Sequence, residues 1–177
     1  MKPSRVIQFL HGNIEDHLGR SIQEIREFSD ERIERSRDVI EWMFPTDIRS
    51  KSNPNSPILT EFDCANIQSD TICRFSVKQS LDRMVRFYES NDFWITQRNH
   101  NFLRLSRILR CIWLFNLKHD YCSLQRALDD VYTDHYDIIG EKTFTYWKMA
   151  NNIEWLKEQE LEESINQQTE HTLERFL

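Results

Sequence analysis

QRNHNFLRLSRILRCIWLFNL, residues Gln97 to Leu117, decides the fold. The stretch contains no acidic residue, in a chain whose formal net charge is −6. At about 100° per residue, Phe102, Leu105, Leu109, Ile112 and Trp113 fall on one arc of a helix. His100, Arg104, Arg107 and Cys111 gather on the opposite side, with Asn101 at the edge of the apolar arc. Such a helix buries one face and presents concentrated positive charge on another. The pattern predicts a helix over roughly 97–117 that serves as the axis of the domain.

Working outward, 177 residues suffice for one domain with a substantial core. Only 3 glycines and 4 prolines argue against a sheet-rich fold with many tight turns. Aromatic residues at 12% offset an apolar fraction of only 39%, since each buried ring contributes a large area. A mildly acidic balance disfavours indiscriminate binding to nucleic acid or anionic membrane, while leaving room for one local basic patch. No run of about 18 apolar residues is present, so no transmembrane segment is expected. The opening MKPSRVIQFLHGNIEDH meets charges too early for a secretory signal, which predicts a soluble intracellular protein. Cys64, Cys73, Cys111 and Cys122 form no CxxC pair and are expected as reduced thiols that behave as small core residues.

Helix starts are legible along the chain. Ser21 with Glu24 forms a capping box ahead of a helix from Ile22 to about Phe28. Ser29 or Asp30 caps a helix carrying Ile33, Ile40, Trp42 and Phe44, which ends at Pro45. TDIRSKSNPNSP, Thr46 to Pro57, reads as an extended loop that either borders a site or acts as a mobile tether. Thr60 with Asp63 starts a short helix to Ile67, and a longer one follows from Asp70 to Glu89. LKHDY reads as a break before a helix capped by Ser123; 133–140 is another break before a helix over 141–151. These elements predict a single all-α bundle of about seven or eight helices over residues 1–150. An acidic C-terminal helix over 151–177 packs on it or extends from it.

Four stretches together resemble the conserved region of the opioid growth factor receptor family. They are Asp16…Gly19-Arg20, ERSRDVIEWMFP from Glu34 to Pro45, NPNSPILT from Asn53 to Thr60, and RNHNFLRLSRILR from Arg98 to Arg110. The resemblance runs over about residues 6–120. Where the family carries H-D-Y-I-Q-W, this chain has Arg37, Val39 and Glu41, and a repeat-bearing tail like that of the animal receptors is not expected. The resemblance implies a signalling receptor for a peptide, nuclear or membrane-associated as the animal members are. It supplies no catalytic residue to transfer, and function has to be argued from a site.

The candidate ligand-binding residues are His100, Arg104, Arg107, Arg98 and Arg110, with Trp94 nearby for stacking and Trp42 either lining a peptide groove or, as such a ring at a helix end more often does, filling core. They suit an acidic protein or peptide partner, or alternatively nucleic acid or a nucleotide. The competing expectation is an internal ion-pair lattice in which Asp16, Glu15 or Glu41 satisfies these arginines, with Arg20 beside Asp16. An enzyme around His100 and Asp16 is a further alternative. Cys111, His119 and Cys122 have a spacing that zinc tolerates but lack a second half-site. Asp129, Asp130, Asp134, His135 and Asp137 lack the glycine and terminal glutamate of a calcium loop. No P-loop, dinucleotide or hydrolase fingerprint occurs, so no cofactor, metal or catalytic residue is expected. A non-enzymatic binding or regulatory module is the leading reading.

Overall fold

A computed structural model describes residues 3–50, 53 and 56–174, the last ten of these by backbone only. Among the described residues the chain is all helix, without a strand. Eleven helical segments occur: α1 Arg5–Leu10, α2 Ile22–Arg26, α3 Asp30–Arg35, α4 Val39–Met43, α5 Glu61–Asn66, α6 Thr71–Glu89, α7 Asn101–Leu114, α8 Lys118–Asp134, α9 Tyr136–Ile139, α10 Glu141–Lys148 and α11 Ile153–Glu174. That exceeds the expected seven or eight because several elements are only one or two turns long. The expected 30–44 helix is two pieces broken at 36–38, and Val6 to Leu10 is helical.

The helix starts follow side-chain chemistry. Ser21 Oγ accepts from Glu24 N at 3.2 Å, while Glu24 Oε2 accepts from Ser21 N at 2.7 Å. Thr60 and Asp63 close the same reciprocal box, and Asp70 caps α6 by accepting from Cys73 N. The expected break at LKHDY is instead the start of α8. The turn falls earlier, at Asn116, whose φ of 55° places it in the left-handed region that asparagine tolerates.

The α7 helix begins at Asn101, four residues later than its sequence pattern predicts, because Arg98 adopts φ 58° and 97–100 form a turn. It packs against α6, α8 and α10. Edge-on rings link three of these helices: Tyr88–Trp94 at 5.1 Å, Trp94–Phe102 at 6.4 Å and Phe102–Trp147 at 5.9 Å between centroids. Trp147 is fully buried, and its indole N–H donates to Phe102 O at 3.0 Å.

The arginine-bearing face of α7 lies largely inside the protein. Arg104 is 6% exposed and Cys111 0%, whereas Leu103 is 69% exposed. A helix contacted on several sides has no free polar face, so its arginines need partners within the protein. They find them at the ends of other helices. Arg104 Nη2 donates to the carbonyls of Ile33 at 3.1 Å, Glu34 at 3.2 Å and Ser36 at 3.4 Å, which terminates α3. Arg107 Nε donates to Phe44 O at 2.9 Å, at the end of α4. Arg110 reaches Ala150 O and Asn151 O just past α10 and grips Asp47 through two hydrogen bonds of 3.0 and 2.6 Å. The last carbonyls of a helix have no intrahelical donor, and a planar, permanently charged fork fits them. Arg83, on α6, does the same for Arg26 O and Phe28 O beyond α2.

The ion-pair lattice therefore exists with different partners. Arg104 meets Glu34 and Arg110 meets Asp47. Asp16 instead pairs with Arg20 at 2.6 Å within its own loop, and Arg20 also bonds Asp38. Burial alone raises the Asp16 carboxyl, but hydrogen bonds from the Arg20 side chain and from the backbone N–H groups of Arg20 and Leu18 outweigh it. The net result lies below the ordinary 3.8. A depressed folded value contributes stability that is complete above 3.8 and lost as pH falls through the folded value. The urea midpoint is accordingly expected to drop less between about pH 5 and about pH 3 in Asp16→Asn than in wild type. Equal drops in the two proteins contradict this assignment.

Candidate functional site

One cavity of about 660 Å³ opens where α4, α7, α10 and α11 meet the 46–58 loop, a volume in the range of ligand sites. The loop is held at its base, where Leu59 N donates to Thr46 O at 2.9 Å beside an isolated parallel bridge between Thr46 and Ile58. Ile48, Arg49, Ser50 and Asn53 from this loop line the cavity; residues 51–52 and 54–55 lie outside the described ones. Ile40, Phe102, Leu103 and Leu156 give the cavity apolar wall.

Its cationic side chains are Arg37, Arg49, Arg104, Arg107 and Lys142, five against the four acids Asp38, Glu41, Glu160 and Glu163, with the His100 ring beside them. In a chain of net charge −6, that is a local reversal of sign. Arg107 is the pivotal member. Its side chain is half-buried, yet Nη2 is shut off from solvent and has no hydrogen-bond partner. Burial lowers the Arg107 guanidinium below its ordinary value, with the Glu41 charge opposing. Glu41 itself is buried and accepts from Asn53 Nδ2 at 2.6 Å. His100 Nε2 is likewise enclosed, and its neighbour is Glu34 Oε1 at 3.3 Å, an ion pair when the ring is protonated. Burial first, and the Arg104 charge next, hold the His100 imidazole below 6.5, which favours the neutral ring near pH 7 (Glu34 pulls the other way).

Of the six candidate ligand residues, His100, Arg104 and Arg107 come together here. The other three do not line this cavity. Arg98 is exposed on the turn before α7, and Arg110 is committed to Asp47. Trp42 is 6% exposed in the core, edge-on to Phe9 at 5.0 Å, with its indole N–H donating to His17 Nδ1 at 3.2 Å. Its position inside a two-turn helix packed on α1 explains this: the ring fills the seam instead of a groove. Asp16 contributes no atom to the cavity, its side chain being fully enclosed beside Arg20, so His100 gains no acid–base partner from it.

Sequence reasoning missed Arg37 and Lys142, which reach the cavity from α3–α4 and α10. Lys142 also pairs with Glu163 at 3.0 Å. Arg37 was legible only as a departure from the family pattern. A second cavity of about 580 Å³ lies between α6, α8 and residues 90–95; its charged lining is Glu89 and Asp92, without a cation, so it does not suit the same ligand. Among the described residues, Cys111, His119 and Cys122 do not converge: Cys111 is enclosed in α7 and Cys122 is exposed on α8. Within the acidic cluster, Asp129 pairs with Lys148 at 2.9 Å.

No protein-family model matches the chain, and no curated protein or solved structure matches it. No helix among the described residues is long and apolar enough to cross a membrane.

Proposed function

We propose that this chain is a non-enzymatic binding module whose cavity receives an acidic group, a carboxylate on a peptide or protein partner. The observation carrying this reading is that Arg107 Nη2, an enclosed guanidinium nitrogen without a hydrogen-bond partner, belongs to a residue lining this cavity. Leaving a buried donor unsatisfied costs about 1–3 kcal/mol, and a ligand oxygen placed there recovers that cost. The apolar wall beside the cations suits an acidic group on a hydrophobic body. Support also comes from the resemblance to the opioid growth factor receptor family: three of its four stretches supply lining residues, and Arg20 of the fourth bonds Asp38. Peptide reception and signalling are carried to this chain by that analogy.

The nucleic-acid alternative fits less well, since the cations line a cavity whose rim bears Glu160 and Glu163, while a phosphate track needs them spread along an outer face. Calorimetric titration with short acidic peptides of mixed Glu and Leu composition, inorganic phosphate and a single-stranded oligonucleotide tests the reading. Saturable peptide binding is expected, weakened about tenfold or more in Arg107→Gln, the scale of one lost charge-assisted hydrogen bond. It is also expected to weaken in the double variant Arg37→Ala, Lys142→Ala, whose side chains are exposed and leave the core intact. Arg98→Ala is expected to bind normally. Oligonucleotide binding with a steep salt dependence in place of peptide binding transfers the site to the alternative. Absence of any saturable binding rejects both.

A further inference from the structure

The first turn of α6 and the end of α1 meet at three side chains outside the cavity. His11 closes α1, Asp70 caps α6 and Cys73 lies three residues into it, so Asp70 and Cys73 share one side of the helix end. His11 Nε2 stands 2.8 Å from Asp70 Oδ2. The other carboxylate oxygen, Oδ1, accepts from Cys73 N at 2.9 Å and holds the cap. One oxygen is therefore structural and the other faces the histidine. Nε2, a carboxylate oxygen and Cys73 Sγ all lie within 4.8 Å of one another. The thiol is fully enclosed, while His11 and Asp70 are 23% and 24% exposed at the side chain, leaving an entry for an ion.

We propose that His11, Asp70 and Cys73 form a binding site for a borderline divalent cation, with zinc the best match. A nitrogen, an oxygen and a sulfur donor are the set zinc takes, at about 2.0–2.3 Å each. In a tetrahedron those bonds put donors roughly 3.3–3.8 Å apart, so the ion requires the His–Asp pair to open slightly and the sulfur to close in by at most about 1 Å. Binding breaks the His11–Asp70 hydrogen bond and the Cys73 thiol's contact with Ile7 O; the proton on His11 Nε2 leaves, the neutral ring keeping its proton on Nδ1, and three metal–ligand bonds form. The thiol proton leaves to solvent, the metal supplying the charge that burial and the Asp70 carboxylate otherwise deny the thiolate. Water takes the fourth position, and no oxidation step is involved. The ion would clamp α1 onto α6, which are already packed together.

The simpler reading is an ion pair beside a helix cap with a core cysteine behind it. A second cluster among the described residues, Asp16, His17 and Asp38, shows the contrast: there the Arg20 guanidinium already bonds both carboxylates and supplies the cation.

Titration of the metal-free full chain with cobalt(II), followed by zinc competition, separates the two readings. Expected are a near-ultraviolet sulfur-to-cobalt band and strong visible bands of a four-coordinate ion, both abolished by stoichiometric zinc. Cys73→Ser removes the sulfur band, and Cys122→Ser leaves it. Asp70→Asn, which keeps a good cap, and His11→Gln weaken binding by about tenfold or more, at least the effect of losing an outer partner. These two variants keep the test decisive if Cys73→Ser does not fold. Absence of a sulfur band, or a band that survives Cys73→Ser and vanishes in Cys122→Ser, overturns the proposal.

Discussion

Arg104→Ala is expected to be the most damaging single change on the arginine-bearing helix, lowering stability by about 3–5 kcal/mol, the range for breaking a buried charge pair. At about 2–4 °C per kcal/mol for a chain of this size, the melting temperature should fall by roughly 10 °C. The reason is arithmetic on partners: one guanidinium serves three carbonyls at the end of α3, Asn101 Oδ1 and the Glu34 carboxylate. Removing it leaves those carbonyls buried without donors and Glu34 without its counter-charge. Arg104→Lys should recover only a minor part, because an ammonium lacks the planar fork that spans several acceptors. Arg98→Ala, on an exposed turn, should stay within about 0.5 kcal/mol of wild type. Urea unfolding followed by circular dichroism measures all three. An unchanged midpoint in Arg104→Ala would mean that the side chain is a surface group available to ligands.

Trp147→Ala should cost a comparable about 3–5 kcal/mol, the range for deleting a large buried ring. The indole is enclosed, meets Phe102 edge-on and ties its N–H to the Phe102 carbonyl. Gln125 in turn donates to the Trp147 carbonyl, so α7, α8 and α10 join at this residue. Trp147→Phe retains most of the volume and loses the N–H bond, and should fall between the two. A Phe variant as unstable as the Ala variant would assign the main contribution to the hydrogen bond in place of packing.

What the sequence disclosed was what lies within a turn or two of itself. Ser21 and Glu24, or Thr60 and Asp63, stand three residues apart, and the structure closes both boxes. Of the arc Phe102, Leu105, Leu109, Ile112 and Trp113, the first four are buried in α7 and Trp113 is only partly so. The opposite stripe misled, because hydrophobic periodicity treats arginine as a solvent-seeking residue. Arg104 and Arg110 are buried for a reason no local pattern carries: carbonyls of α3 and of the α10 end arrive from 68–71 and from 40–41 residues away. Separations of 70 and 63 residues hide Glu34 and Asp47 as partners; of the expected Asp16, Glu15 and Glu41, only Glu41 acts on one of these arginines, Arg107. At the cavity, the basic residues of α7 were legible, but Arg37 and Lys142 become neighbours only through the fold. Trp42 and Arg98 were misplaced because aromatic and basic character alone do not fix which way a side chain faces.

Three guanidinium groups from one helix finish three others, and this has a bearing on how the domain opens. Fraying ordinarily starts at helix ends, where backbone groups are least protected. Here the ends of α3, α4 and α10 are fastened to side chains on α7, so they fray only if α7 lets go of them. The four helices then exchange with solvent as a single cooperative unit. A ligand held in the proposed cavity would meet α4, α7 and α10 directly, and the slowed opening would reach α3, which does not line it.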